Sequence, residues 1–405
     1  MTEQGSLDTP ILVFGTTITA LGVVRAFARR GQTVWTHTLP GDVVTLSKYY
    51  KPLPLPPGFD PEAPATERLE SILRSLPIAK AFLLPCSDLW TEAAAALPED
   101  LRLRFPACIA PHQAILILVD KGKLAETMAE LGLPHPRSFA VDREDDLAAL
   151  EDRVFENAFL KPKSSPLFIE KYGVKGMRVH SRAEAAARLR DVKDAGFEVI
   201  LQEYIPGPPS EHYFIDGFID RNGVVRARFA RQRLRMYPTD FGNSTYMVSV
   251  AMDQVGPARE SLDILLSTLK YRGIFSAEFK RDPRDGKFYL VEVNPRPWWY
   301  VGFAESCGVH VCAMAYADAL GLPPPEPEPY PIGKACVYPY IDMHEYLWHR
   351  RHHRDQPHAP LVVCAGAWLV AHKPIFAWDD PCPAVSSWLA GTRQFLKKRL
   401  WPQVS

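Results

Sequence analysis

The chain has 405 residues, of which 47% are hydrophobic and 23% charged, the balance of a globular protein with material for several cores. Lys plus Arg and Asp plus Glu each number 47, so the formal net charge is zero and no global basic field points to nucleic acid or to a membrane surface. Seven cysteines with no C-x-x-C pair, no apolar run of membrane-spanning length, and an N-terminus (MTEQGSLDTP) lacking signal-peptide regions lead us to expect a reduced, cytoplasmic protein without a membrane partner.

Residues 11–14 are a short apolar run. Residues 15–22 read GTTITALG, 23–30 read as a helix and 33–36 as a second strand. This is a strand–turn–helix–strand unit of an open α/β sheet. Gly15 and Gly22 lack the G-x-G-x-x-G spacing, so a tight turn with helix packing is preferred to nucleotide binding. A Pro-rich loop covers 48–64, a helix 67–76, a buried strand 81–85 and a helix 88–96 opening after Ser87. Residues 1–110 are therefore expected to form one α/β domain.

Residues 119–131 (VDKGKLAETMAEL) predict a helix, broken by 133–136 (LPHP). A strand at 138–141, a helix at 144–154 and the strand FLKP at 159–162 follow. Lys161 lies inside that apolar strand, and a lysine there needs an anion for its ammonium. Residues 164–177 (SSPLFIEKYGVKGM) read as a loop in which Gly173 and Gly176 flank Lys175; backbone N–H groups beside glycine can approach phosphate closely. A strand at 178–180 and a helix at 181–192, capped by Ser181, lead to 199–205 (VILQEYI), a strand ended by PGPP.

Residues 213–219 and 224–228 predict a hairpin around DRNG. Residues 226–235 (RARFARQRLR) are dense in arginine. Overall neutrality and the lack of interleaved aromatics argue against nucleic acid and leave the arginines to smaller anionic groups. A polar loop is expected at 237–245 and an amphipathic helix at 255–271. The strands GIFSAEFK (273–280) and YLVEVNPRPWW (289–299) then form a hairpin around DPRDGK. Glu278 and Glu292 fall on neighbouring strands. Glu292 and Asn294 share one face, as does Arg296 if the strand persists past Pro295. Two carboxylates, an amide oxygen and a guanidinium make a place for Mg²⁺ and phosphates.

Residues 300–320 read as mostly helical, with Cys307, His310 and Cys312 taken as packing residues ahead of metal ligands. LPPPEPEPYP (322–331) is a break. A strand at 334–340 follows. The stretch 345–358 (EYLWHRRHHRDQPH) is read as a solvated basic face in preference to a zinc site, and the aromatic-rich residues 368–388 suggest no chemistry.

An acidic strand, a short turn and E-x-N-x-R, preceded in order by FLKP, QEYI and an arginine strand, resemble the ATP-grasp superfamily in the manner of its carboxylate–amine ligases. The resemblance covers roughly residues 10–310. It implies a mixed α/β and α+β architecture: an N-terminal open α/β domain (1–110), a two-lobed ATP-grasp domain (111–322) with its hinge near 202–207, and a C-terminal segment (323–405). It implies ATP contacts from Lys121, Lys161, Lys163, Gly176, Gln202, Glu203, Tyr204, Ile205 and Glu211. Glu278, Glu292 and Asn294 would hold Mg²⁺, with Mn²⁺ able to substitute. Arg296 and Arg233 would assist phosphoryl transfer; through the arginine segment the alignment is loose, with Arg231 and Arg235 as neighbours. The family's denser glycine run is absent from 164–177. The implied reaction joins a small-molecule carboxylate to an amine, less often a thiol, through an acyl phosphate. A homodimer is compatible with it. Another ATP-grasp carboxylase or synthetase component and a non-catalytic ATP-binding regulatory protein stay open as alternatives.

Overall fold

The computed structural model describes residues 9–162, 165–238, 241–352 and 359–389. Three short strands, β1 (Ile11–Phe14), β2 (Val34–His37) and β3 (Phe82–Pro85), form a parallel sheet in the order β2-β1-β3. All residues of β1 and β3 are buried, as expected of a parallel sheet covered on both faces. Leu12, Phe14 and Leu83 pack on Leu69, Ile72 and Trp90 on one side. Ile11, Val13 and Phe82 pack on the helix Thr17–Ala28 and on the later helices Val301–Ser306 and Val311–Leu320 on the other. Gly22 lies within the first helix, not in a turn before it. A Cβ there would meet Val301 Cγ1 at 3.0 Å, so the glycine permits close approach of two helices.

The strands β4 (Ser138–Ala140), β5 (Ala158–Pro162), β6 (Met177–Val179) and β7 (Val199–Glu203) make an antiparallel sheet in the order β4-β7-β5-β6. The helix Arg182–Asp194 covers one face through Ala185, Leu189 and Val192. The segment expected as a glycine loop instead begins with a helix, Ser165–Tyr172. Phe168 is fully buried in this core, tilted against Tyr172 (4.7 Å between centroids) and edge-to-face with Phe197 (5.3 Å), packing that favours a helical turn over an open loop.

The third sheet is the largest. Strands β8 (His212–Ile219), β9 (Val225–Tyr237), β10 (Asn243–Ser249), β11 (Gly273–Arg281), β12 (Phe288–Asn294) and β13 (Ala335–Val337) run in the order β12-β11-β8-β9-β10-β13. Alternation decides its two faces. Tyr213, Ile215, Phe275, Ala277 and Phe279 pack beneath the helix Gly256–Thr268 through Leu262, Leu265 and Leu266. The intervening residues His212, Phe214, Ser276, Glu278, Arg231 and Arg233 point the other way, into a cleft of about 700 Å³. Gly217 in β8 is required by close packing: a Cβ there would lie 2.3 Å from the Ala227 carbonyl oxygen. Each arginine of 226–235 has its own carboxylate: Arg226–Asp220, Arg228–Asp263, Arg231–Asp216, Arg233–Glu278 and Arg235–Asp342.

The last described residues return to the first sheet. Asp380, 1% exposed, accepts hydrogen bonds from Arg25 Nε (2.9 Å), Ser47 Oγ (2.6 Å) and the Lys48 N–H (2.9 Å). Cys307 and Cys312 are buried thiols and His310 bonds Glu305, as packing residues would. The helix Pro339–His352 takes in the first part of the histidine- and arginine-rich stretch, and 353–358 lie outside the described residues.

Candidate active site

The hairpin of β11 and β12 pairs Ser276 with Asn294 and Glu278 with Glu292, followed by a bulge. Both carboxylates line the cleft. Asn294 Nδ2 donates to Glu292 Oε1 (2.8 Å), and Arg296 donates through Nη2 to Asn294 Oδ1 (2.9 Å). The strand ends at Asn294, so Arg296 joins this row through hydrogen bonds, not strand alternation. Its Nε and Nη2 also grip Asp88, at 2.6 and 3.1 Å, in the helix Asp88–Ala95 that packs on the first sheet.

Glu278 is the acceptor for two partners from neighbouring strands. Arg233 Nη2 lies 3.1 Å away and His212 Nδ1 2.8 Å away. Burial alone would raise the Glu278 pKa, but Arg233, His212 and Lys175 outweigh it and hold the carboxyl well below its usual range. Burial and Arg233 push His212 down to about 4, so its ring is neutral at pH 7. A neutral His212 donates Nδ1–H to Glu278 and keeps an acceptor at Nε2, which is buried with no partner among the described residues.

Across the cleft stand the lysines. Lys161 in β5 donates to Gln202 Oε1 (3.2 Å). Burial, then Lys121, lowers its pKa to about 8, against the pull of Glu292 and Glu278. Lys121 opens the helix Lys121–Glu130 and reaches the Pro162 carbonyl (3.0 Å); burial lowers its pKa too. Lys175 donates to Asn243 Oδ1 (2.5 Å), linking the 165–176 segment to β10. A Cβ on Gly176 would come within 2.9 Å of the Phe159 ring, so this glycine seats the segment against β5. Lys163 lies outside the described residues.

The expected adenine strand is in place, but Gln202 and Glu203 on it, and Glu211 beyond it, are already engaged. Gln202 bonds Ser138 Oγ through Nε2 (2.8 Å) as well as Lys161 through Oε1. Glu211 is gripped by Arg281 at 2.6 and 3.1 Å. Glu203 accepts from Arg137 (3.3 Å). Tyr204 is sandwiched between the Arg178 guanidinium (3.7 Å from its centroid) and Lys280 Nζ (4.4 Å), and Ile205 is buried.

The far end of the cleft holds residues that the sequence reading did not single out. Thr17, in left-handed backbone geometry (φ +61°), donates its N–H to both Asp42 oxygens (3.0 and 2.8 Å) and accepts from Trp299 Nε1 (3.0 Å). Trp298 is 3% exposed, with Nε1 unpartnered among the described residues. His212, Thr17 and Asp88 had no local signal: each reaches the site through strand register or helix packing between segments far apart in sequence. Among the described residues no group of three or more His, Cys, Asp or Glu gathers as a cation site, so the hairpin offers two carboxylates and an amide oxygen.

This arrangement is the ATP-grasp fold, as comparison with solved structures shows. An ADP complex of N5-carboxyaminoimidazole ribonucleotide synthetase superposes with a TM-score of 0.62 at 13% identity, over 85% of this chain and 87% of that one. The L-amino acid ligase of Bacillus licheniformis superposes with a TM-score of 0.56 at 18% identity, over 79% of this chain and 75% of that one. By sequence the chain is similar to the D-aspartate ligase of Enterococcus faecium, 26% identical over 274 residues; the match takes in 65% of this chain and 65% of the length of that relative. No family model matches the chain.

Proposed function

We propose that this chain is an ATP-dependent carboxylate–amine ligase that forms an amide bond through an acyl phosphate and releases ADP and phosphate. One observation carries the reading: Glu278 and Glu292 lie in register on one wall of a cleft whose opposite wall presents Lys161 and Lys175. In this reading residues 1–110 supply the wall with Thr17 and Asp88, residues 111–322 grip the nucleotide, and 323–405 form the C-terminal segment.

The donor set of Glu278, Glu292 and Asn294 fits Mg²⁺, and Mn²⁺ would be accepted by the same hard oxygens. Bound there, the ion would screen the terminal phosphates and the charge that develops on them. Asn294 would exchange Arg296 for the ion. Lys161 and Lys121 neutralise phosphate from the other wall, and Arg233, held over Glu278, faces the transferring group. Glu211 would release Arg281 to bond the ribose hydroxyls, while Glu203 and Ile205 offer backbone groups to the adenine edge.

A carboxylate oxygen attacks the γ-phosphorus, and the bond to the bridging oxygen breaks to leave ADP. The amine nitrogen then adds to the acyl carbon, and the acyl–oxygen bond breaks as phosphate leaves with the proton. The name of the D-aspartate ligase relative supports an amino acid as the acid, and an amine ahead of a thiol as the nucleophile.

The test supplies ATP, Mg²⁺ and a panel of D- and L-amino acids, with hydroxylamine in place of the amine. The expected result is a hydroxamate matched by ADP and phosphate. AMP and pyrophosphate in equal amounts, or no acid-dependent turnover, would overturn the reading.

A further inference from the structure

The cleft is lined by the cations Lys161, Lys175, Arg231, Arg233 and Arg296, and each of the three arginines is held by a carboxylate. Arg231 Nε donates to Asp216 (2.7 Å), Arg233 Nη2 lies 3.1 Å from Glu278, and Arg296 Nε donates to Asp88 (2.6 Å). Aromatic rings cover the Arg231 guanidinium as well, with its central carbon 3.8 Å from the Phe214 centroid and 5.8 Å from that of Tyr300. Lys161 and Lys175 instead donate to the amide oxygens of Gln202 and Asn243, and these lysines are left to meet phosphate. Among the described residues, no cation lining the cleft remains for a second carboxylate on the acid substrate.

The lining that adjoins Arg233 is apolar, and its polar groups satisfy one another. Arg233 donates through Nε to Ser244 Oγ (2.8 Å) and through Nη1 to Met236 Sδ (3.1 Å). The Tyr300 hydroxyl donates to the Ser244 carbonyl. Trp299 lies edge-on to Tyr300, 6.2 Å between centroids, and its Nε1 donates to Thr17 Oγ1 (3.0 Å). The Thr17 N–H is taken by Asp42, and the Ser276 hydroxyl by Asp216. What this lining offers a ligand is therefore the Met236 thioether and the rings of Phe214, Trp298, Trp299 and Tyr300. One donor is left over: Trp298 Nε1, buried with no partner among the described residues, suits a single carboxylate oxygen.

We propose that the acid activated in this cleft is a monocarboxylate with a bulky uncharged side chain, of the kind carried by phenylalanine, leucine or methionine, and not aspartate or glutamate. The inference rests on the ligase reading and deepens it. The acid has to reach the γ-phosphate that Arg233 and the carboxylate hairpin face, so its side chain falls against the residues bonded to Arg233. An apolar group placed on these rings gives up water and gains contact. A second carboxylate would lose its water there and find no cation in return. The specificity thus differs from the one that the name of the D-aspartate ligase relative carries.

The test measures kcat/KM for hydroxamate formation by the full chain with each acid in turn, in both D and L forms. Phenylalanine, leucine or methionine should exceed aspartate and glutamate by about tenfold or more. Trp299→Ala should lower kcat/KM for the apolar acids about tenfold, through KM, with the Kd for an ATP analogue unchanged; Trp299→Phe, which keeps a ring, should retain the preference. Melting curves taken with Mg²⁺ and a non-hydrolysable ATP analogue give a readout free of turnover: an apolar acid should raise the midpoint and aspartate should not. Aspartate or glutamate used as well as the apolar acids, or an unchanged ratio in Trp299→Ala, would overturn the inference and leave the ligase reading standing. Turnover with none of the acids would overturn the ligase reading, and this inference with it.

Discussion

Lys161 offers a direct test of how the cleft binds phosphate. Its folded pKa of about 8 lies below the ordinary lysine value of 10.5, and burial followed by Lys121 causes the shift. The sign follows from proton counting. Between these values the unfolded chain holds a proton that the folded chain has released, so the stability contribution of this group rises with pH across that window, and below it the charged lysine opposes folding. Nucleotide binding has the opposite demand, since phosphate needs the ammonium. With a pKa near 8, about nine-tenths of the side chains are charged at pH 7 and about one-tenth at pH 9, so the Kd for an ATP analogue should rise about tenfold between them. Binding at pH 8 should take up about half a proton. Calorimetry in buffers of different ionisation enthalpy reads both quantities. Lys161→Arg keeps the charge and should flatten the profile. The neighbours that face this ammonium, Lys121, Lys175, Glu278 and Glu292, are unchanged in that variant. Parallel wild-type and Lys161→Arg profiles from pH 7 to 9 would refute the reasoning.

Glu292→Ala should slow ADP release about 10²-fold or more across a Mg²⁺ titration while leaving the melting curve in place; near wild-type kcat at saturating Mg²⁺ would remove it from the metal set. Asp88→Asn should loosen Arg296, lowering kcat about tenfold with little change in ATP-analogue affinity, because Asp88 grips Arg296, which in turn bonds Asn294 of the carboxylate hairpin; a selective loss of nucleotide affinity would contradict that role. Gly217→Ala should cost about 2–3 kcal/mol or more in urea unfolding, because its Cβ would collide with a carbonyl of the paired strand, and an unchanged midpoint would show that β8 and β9 can separate cheaply. Lys161→Met should raise the melting temperature at pH 7 by removing a buried charge while weakening nucleotide binding, and a lower melting temperature would count against the cost assigned to that charge.

Much of the fold was legible because its signals are local. FLKP, VILQEYI and the two acidic strands are apolar runs with clear ends, and all four form strands. The first helix was read as starting at Val23 because Gly22 suggested a turn; it starts at Thr17, since that glycine serves a contact with residues 301–302 that no local pattern reveals. The 165–172 helix was missed for a similar reason, as Phe168 finds its partners in distant segments. The helix read at 119–131 forms over Lys121–Glu130, capped by Asp120 through bonds to the N–H groups of Gly122 and Lys123, whereas the helix His112–Val119 just before it was not read. At the site, the carboxylates and lysines stood out as charges inside apolar runs. His212 did not, since a histidine at the start of a strand is unremarked until register sets it beside Glu278.

The buried clamp between Arg25 and Asp380 sets an order on assembly. The partners are 355 residues apart, so a ribosome adding about 5–20 residues per second needs roughly 20–70 s to supply the second after the first. Throughout that interval the nascent first helix carries a guanidinium, destined for the interior, with no Asp380 to receive it. The helix that carries Arg25 is thus completed only long after it is made. Chains stalled or truncated before residue 380 would leave this helix face as a mark by which unfinished copies differ from finished ones.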